Sequence, residues 1–366
     1  MNDALGLYLH VPFCRTRCRY CDFYRVGEKR ERMDRFVVAL GREIDGWSGL
    51  HGRRVDSIFF GGGTPSLLEP DEIARLIERL ALRFALTEDC EVSVEANPSD
   101  ASLARFAGLR AAGVNRLSLG VQSFVDRELG LLGRRHDAAG AARALAEARA
   151  AGFANLALDL MVGVPAQTDG SFAASLARAV ELAPDHLSVY LLEVHPGSEI
   201  DGLRRERPRL FAGEEAMRRR YLALAARLAA AGFRQYEISN FARPGHECRH
   251  NLKYWRCEPF LGLGPSAHSA VDGRRFRHPA DLERWLADPL AIEPVDSDPG
   301  EERLFLGLRL AEGIPLAWLR AHGPGAAEID RRLARLASWI ESDGERVRLT
   351  REGFVISNAV LTELLA

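Results

Sequence analysis

The 366-residue sequence predicts an α/β protein with a parallel sheet and a small, mainly helical appendage. Three observations predict it. Over the first two thirds of the chain, short apolar runs alternate with amphipathic helical patterns, the signature of repeated strand–helix units. Three of the helical stretches end on the same pair, Ala112-Gly113, Ala151-Gly152 and Ala231-Gly232, where glycine takes the left-handed cap and releases the chain into the next strand. Beyond about residue 236 the alternation stops.

The predicted strands, in order, are Leu5–Val11, Val55–Gly61, Cys90–Ala96, Arg116–Gln122, Asn155–Val162 and His186–Val194, each rich in leucine, β-branched or aromatic residues. Between them, Asp71–Phe84 carries Ile73, Leu76, Ile77, Leu80 and Phe84 on one helical face. Six such units suit a partial barrel or a doubly wound sheet, and periodicity does not choose between them. In both, ligands gather at the C-terminal strand ends. The division expected is a core of residues 1–235, a closing segment 236–285 rich in Gly, Pro, His and aromatics, and a helical unit 286–366. In that last unit helices are expected around 301–311 and 325–341, then a strand Glu345–Thr350 and a helix ending near Leu365, a winged-helix-like order. Residues 297–366 carry eleven acids against nine arginines, so packing or protein docking is expected there rather than DNA binding.

The net charge of −2 gives no sign of nucleic acid as a partner. No run reaches the roughly 18 apolar residues of a spanning helix. Met1-Asn2-Asp3-Ala4 does not read as a signal peptide, so a cytoplasmic location is expected. In that reducing compartment clustered cysteines read as metal ligands.

Three of the six cysteines fall within eight residues, in His10-Val-Pro-Phe-Cys14-Arg-Thr-Arg-Cys18-Arg-Tyr-Cys21-Asp-Phe23. Thiolates are natural ligands of iron–sulfur clusters. Three cysteines hold three irons of a 4Fe–4S cubane and leave the fourth open to a small chelator. Radical S-adenosylmethionine (SAM) chemistry requires that vacancy, because the methionyl amine and carboxylate bind there before the sulfonium is cleaved. Arg15, Arg17 and Arg19 flank the ligands and are expected to favour thiolate. The competing reading is structural zinc, which requires a fourth ligand from afar. Cys90, Cys248 and Cys257 read as buried structural thiols.

The strand at Val55 runs into Gly61-Gly62-Gly63-Thr64-Pro65, where glycine lets backbone approach a ligand and Thr64, preceding proline, is held extended. There is no Gly-Lys-Ser/Thr to make this a phosphate loop. Three strands end in a polar residue, Glu95, Gln122 and Asp159, and Arg134 follows twelve residues past Gln122. Polar groups aimed from neighbouring strand ends into one crevice suit a polar ligand, and Arg134 suits a carboxylate.

His-Val-Pro-Phe-Cys, Gly-Gly-Gly-Thr-Pro, Leu-Gly-Val-Gln-Ser-Phe and Asp-Leu-Met-Val-Gly-Val-Pro together resemble the oxygen-independent coproporphyrinogen III oxidase group of radical SAM proteins. The resemblance spans most of the chain and implies a partial (β/α)6 barrel. It implies a cluster on Cys14, Cys18 and Cys21 with Tyr8 nearby, and Gly62, Gly63 and Thr64 at the SAM amino group. It also implies Glu95 and Arg134 at the methionyl end, Gln122 and Asp159 at the ribose, and Tyr190 and Leu191 beside the adenine.

Two departures separate the chain from the oxidase itself. Phe23 stands where the oxidase has a further cysteine, and the chain begins only a few residues before the cluster strand. His250-Asn251-Leu-Lys-Tyr254-Trp255 instead resembles the HemW-type haem chaperones. That resemblance implies haem as a third cofactor, bound near His250, Tyr254 and Trp255. It also implies haem-accepting proteins and an electron donor as partners, with peripheral membrane contact. An imidazole can ligate haem iron and aromatic rings can cover a macrocycle, although a lone histidine beside aromatics is ordinarily a hydrogen-bonded structural residue. Cys257 is an alternative ligand, and His268 reads as structural. The expected function is binding and delivery of haem, with SAM cleavage and enzymatic turnover left open. The alternatives are oxidative decarboxylation of coproporphyrinogen III and radical chemistry on another substrate, since fold does not fix function.

Overall fold

The computed structural model describes residues 3–365. Met1 and Asn2, on which the N-terminal reading partly rests, lie outside the described residues. The six predicted strands are β1 (Leu5–Val11), β2 (Arg54–Gly62), β3 (Ala85–Ala96), β4 (Arg116–Gln122), β5 (Asn155–Val162) and β6 (His186–Leu191). They lie side by side in chain order, all parallel. A doubly wound sheet reverses its strand order at a switch point, whereas unbroken order with right-handed crossovers keeps the helices on one face. This is the partial-barrel arrangement, and it decides between the two readings that periodicity left open. The sheet remains open, with edges at Glu293–Pro294 and Arg234–Gln235.

The strands alternate in a way that positions the site. Leu5, Leu7 and Leu9 of β1, Ile58 and Phe60 of β2, Val92 and Val94 of β3, Leu117 and Leu119 of β4, and Leu156 and Leu158 of β5 are buried together in the main core. Helices cover that face. Pro70–Arg83 buries Ile73, Leu76 and Leu80, as its period predicts, and its Glu72 carboxylate accepts the Glu69 amide at 2.8 Å. The opposite face carries Tyr8, Phe59, Glu95, Ser118, Asp159, Ser188 and Tyr190. Register sets Tyr8 beside Phe59, Glu95 beside Ser118 and Asp159 beside Ser188. Most parallel sheets are apolar on both faces, so a polar inner face marks a lined crevice.

Two features were not legible in the periodicity. Phe260–Leu263, inside the irregular segment, adds a parallel strand to the free side of β1. The helix Arg249–Arg256 packs against β1 and β2 from the inner side. Beyond it, Pro299–Gly307, Ile314–Pro315, Leu316–His322, Ala326–Arg335 and the hairpin Ile340–Ser342/Arg346–Leu349 follow in winged-helix order. Among the described residues no helix is long and apolar enough to cross a membrane.

Candidate cluster and SAM crevice

The segment after β1 carries the cysteines. Phe13–Cys14 pairs with Val26–Gly27, closing a loop that holds Cys18 and Cys21 between them. The Arg19 amide donates to the Leu132 carbonyl at 3.1 Å, which ties this loop to the segment after β4. Cys14, Cys18 and Cys21 are partly exposed and lie within electrostatic reach of one another. Burial raises the Cys14 and Cys21 thiols. The Thr64 hydroxyl opposes this at Cys14, and the Phe23 amide and Arg25 oppose it at Cys21. The donor set is all thiol, and among the described residues no three ligating side chains converge on a single ion. Three thiols with Arg134 and Arg25 beside them fit the chemistry of an iron–sulfur cluster.

The flanking arginines are not the ones beside the sulfurs. Arg15 pairs with Glu28 and Asp100, and Arg19 with Glu199. Arg134 instead brings Nη1 within 3.4 Å of Cys18 Sγ while donating to the Gly120 carbonyl. Arg25 donates to the Cys21 carbonyl at 3.1 Å. Local sequence favoured the neighbours because nothing local signals which side chain a folded loop turns inward.

The glycine loop after β2 lies against the cysteine loop. The Gly63 and Thr64 amides donate to the Val11 and Phe13 carbonyls, each at 2.8 Å. A Cβ on Gly63 would stand 2.6 Å from the Phe13 carbonyl oxygen, so only glycine permits the approach. Gly62 has a φ of 107° and donates to Glu95 at 3.1 Å.

Glu95, Asp159, Tyr8 and Tyr190 line one cavity of about 250 Å³, with Arg116, Ser118, Ser188, Asn251 and Tyr254 among its other walls. Burial, and then the charge of Asp159, pushes the Glu95 carboxyl up to about 8. Burial also raises Asp159, against hydrogen bonds from Ser188 and Ser118. Two buried carboxyls that resist ionisation together are stabilised by a cation, and SAM brings an ammonium and a sulfonium. Gln122 is buried at the β4 end with φ of 70°, a left-handed conformation that costs a non-glycine residue energy and recurs at ligand sites. Leu191 closes β6 next to Tyr190. The structure thus brings together Tyr8, the glycine loop, Glu95, Asp159 and Tyr190 around one crevice. Arg134 sits between Gly120 and the cluster loop.

The haem candidates are placed differently. His250 is fully buried at the crevice floor, stacked on Phe59 at 5.4 Å between ring centres. Its Nδ1 is 3.1 Å from Ser57 Oγ and its Nε2 is 2.8 Å from Tyr254 Oη, so both ring nitrogens are engaged. Burial lowers its pKa to about 3. Trp255 and Cys257 are partly exposed, and His268 is exposed. Cys90 and Cys248 are buried, as expected. Sequence reasoning missed Arg25, Arg116, Ser118 and Ser188, and had Asn251 only as part of the His250–Trp255 motif. The period-two alternation of the strands was the available signal for Ser118 and Ser188.

Comparison with known proteins defines the class first. Residues 8–179 match the radical SAM superfamily and residues 296–356 match the HemN C-terminal domain. The solved coproporphyrinogen III oxidase HemN of Escherichia coli superposes with a TM-score of 0.84 at 26% identity, covering 100% of this chain and 90% of that one. The haem chaperone HemW of Mycobacterium tuberculosis is 40% identical over 100% of this chain and 95% of its own length. HemW of E. coli is 35% identical, covering 99% and 98%. A bovine mitochondrial protein, radical S-adenosyl methionine domain-containing protein 1, is 42% identical over 87% of this chain and 71% of its own length. This chain belongs to the HemW family of radical SAM proteins.

Proposed function

We propose that this protein is a haem chaperone that binds haem and passes it to haem-dependent proteins, with a 4Fe–4S cluster on Cys14, Cys18 and Cys21 and SAM in the crevice. The observation that carries the reading is full-length similarity to HemW proteins at 35–40% identity, together with Phe23 in place of a cysteine beside the cluster loop. Phe23 is 63% exposed, and a phenyl ring neither moves a proton nor ligates a metal.

In this reading Gly62, Gly63, Thr64, Glu95 and Arg134 hold the methionyl end of SAM. Gln122 and Asp159 hold the ribose, and Tyr190 and Leu191 flank the adenine. Tyr8 stands near the cluster. A reduced cluster held there would supply one electron to the sulfonium, and Arg134 and Arg25 would supply positive charge at its thiolates. Haem is assigned to the face formed by His250, Tyr254, Trp255 and Cys257. The partly exposed Trp255 and Cys257 are accessible as they stand, whereas iron ligation by His250 requires the ring to leave Ser57 and Tyr254. The core 1–235, the closing segment 236–285 and the unit 286–366 are retained as the domain division, the matched segments 8–179 and 296–356 falling inside the first and last. The acidic last unit serves protein docking rather than nucleic acid. An electron donor, haem acceptors, peripheral membrane contact and a cytoplasmic location complete the proposal.

The test is anaerobic reconstitution of the full chain followed by separate assays of haem retention and of protoporphyrinogen formation. Haem retention without decarboxylation is expected. SAM-dependent decarboxylation of coproporphyrinogen III would replace the chaperone with the oxidase.

A further inference from the structure

The floor of the crevice holds a charge without a partner. Arg116 opens β4 on the same alternation that points Ser118 inward and Leu117 toward the helices. Its side chain lies beneath Ser118 and is only 2% exposed, yet it lines the cavity. Its Nε has no hydrogen-bond partner, and among the described residues no hydrogen bond or ion pair engages the guanidinium. Glu91 and Asp159 act on it only through space.

The neighbours that would ordinarily satisfy it are committed elsewhere. The Glu91 carboxylate takes the Arg249 and His250 amides, Ser93 Oγ and the Cys248 thiol. The Tyr236 hydroxyl is shared between His186 Nε2 and the Cys248 amide. Burying the Nε donor unused is expensive, although the nearby anionic groups favour the charge itself. Such a cost persists in a fold when a ligand removes it, and a guanidinium fork matches a carboxylate with two parallel hydrogen bonds.

We propose that the crevice floor is a second binding site, below the SAM position, for a carboxylate held by Arg116. Asn251 lines the same cavity and adds an amide donor, while the Ser118 and Ser188 hydroxyls are held by Asp159 and the Tyr254 hydroxyl by His250 Nε2. Glu95 and Asp159 on the upper wall repel a second anion, so the ligand carries one carboxylate at its inner end and a neutral or cationic group above. Two sources have this chemistry, a free small acid and a propionate arm of haem. Only the second rests on the chaperone reading.

The experiment uses the reconstituted full chain and three probes: sodium propionate, haem, and haem dimethyl ester. Propionate is expected to raise the melting temperature of the wild type with concentration, while sodium chloride at equal ionic strength does not. Arg116→Met and Arg116→Gln are expected to abolish the shift. Unliganded Arg116→Met is expected to melt at or above the wild type, because it removes an unpaired buried charge, whereas a structural arginine would lower it. If haem binds about tenfold or more tightly than its ester to the wild type but equally to Arg116→Met, the propionate arm is the occupant. If haem and ester bind alike while propionate still stabilises, the occupant is a free acid. Absence of any haem binding beside a retained propionate shift sinks the chaperone reading and leaves the carboxylate site standing. The proposal is overturned if propionate gives no Arg116-dependent shift and esterification changes nothing, or if both variants fail to fold. It is also overturned if Arg116→Met loses SAM affinity, which would assign the arginine to SAM.

Discussion

The Thr64 hydroxyl stands 3.8 Å from the Cys14 sulfur, joining two loops that are fifty residues apart in the chain. The contact places the glycine loop where SAM must lie if the cysteines hold the cluster. In the proposed reading, cluster assembly and SAM binding therefore depend on neighbouring loops. Replacing any one of Cys14, Cys18 and Cys21 by alanine is expected to abolish the broad cluster absorption, because three thiolates are the minimum set. Gly63→Ala is expected to reduce iron and sulfide content as well as SAM affinity, since the new methyl group would collide with the Phe13 carbonyl beside Cys14. Full iron content in Cys14→Ala, or zinc as the native metal, would refute the cluster assignment.

Asp159→Ala and Gln122→Ala are expected to weaken SAM binding without loss of the cluster. Each removes a hydrogen-bonding group from the crevice side and leaves the cysteine loop alone. The expected loss is on the order of 1 kcal/mol apiece, and more for Asp159, whose removal leaves Ser118 without its 3.2 Å partner. Calorimetric titration with SAM checks this, and unchanged affinity in both variants would place the ligand elsewhere.

The Glu95 carboxyl makes a pH prediction of definite sign. Its pKa is pushed from 4.5 to about 8 in the folded protein. Between those values the native state holds a proton that the unfolded state has released. Unliganded stability should therefore fall as pH rises through this window and level off above it, by at most about 1.4 kcal/mol per unit for one proton. Glu95→Gln should flatten the profile. Saturating SAM should flatten it too, because a cation favours the ionised carboxylate. Denaturant unfolding at several pH values decides it, and an identical profile in wild type and Glu95→Gln would show that Glu95 does not titrate in this range.

How far the sequence reveals this arrangement depends on the range of the interaction. The six strands are local apolar patterns and the cysteine spacing is a local motif, so both were legible, whereas periodicity left the order of the strands in the sheet open. Glu95 and Asp159 were found because each is a polar residue interrupting an apolar run. The strand Phe260–Leu263 was not found, because its partner β1 lies about 250 residues earlier and its own segment has no period. Arg134 beside Cys18 and the turning away of Arg15 and Arg19 depend on which carboxylates the fold brings near. Arg116 reads as an ordinary charged residue at a strand start, and only the folded crevice shows that it has no partner.

His250 offers the sharpest remaining contrast between a ligand and a floor. The resemblance assigns it to haem, while the fold packs it against Phe59 and Tyr8 and engages both ring nitrogens. His250→Ala should open a cavity and leave Ser57 and Tyr254 unpaired. The expected loss is about 2–4 kcal/mol of stability. The imidazole is held neutral by burial, with its pKa near 3. The unfolded chain takes up the proton first, so stability falls as pH drops from about 6.5 toward 3, and this part of the acid sensitivity should vanish in the variant. Haem spectra of His250→Ala and Cys257→Ala, recorded at a temperature where both are folded, then separate the roles. A floor residue predicts an unchanged spectrum in His250→Ala. A Soret shift in His250→Ala alone would mean that haem draws the imidazole out of its contacts with Ser57 and Tyr254, and that the helix Arg249–Arg256 moves when haem binds.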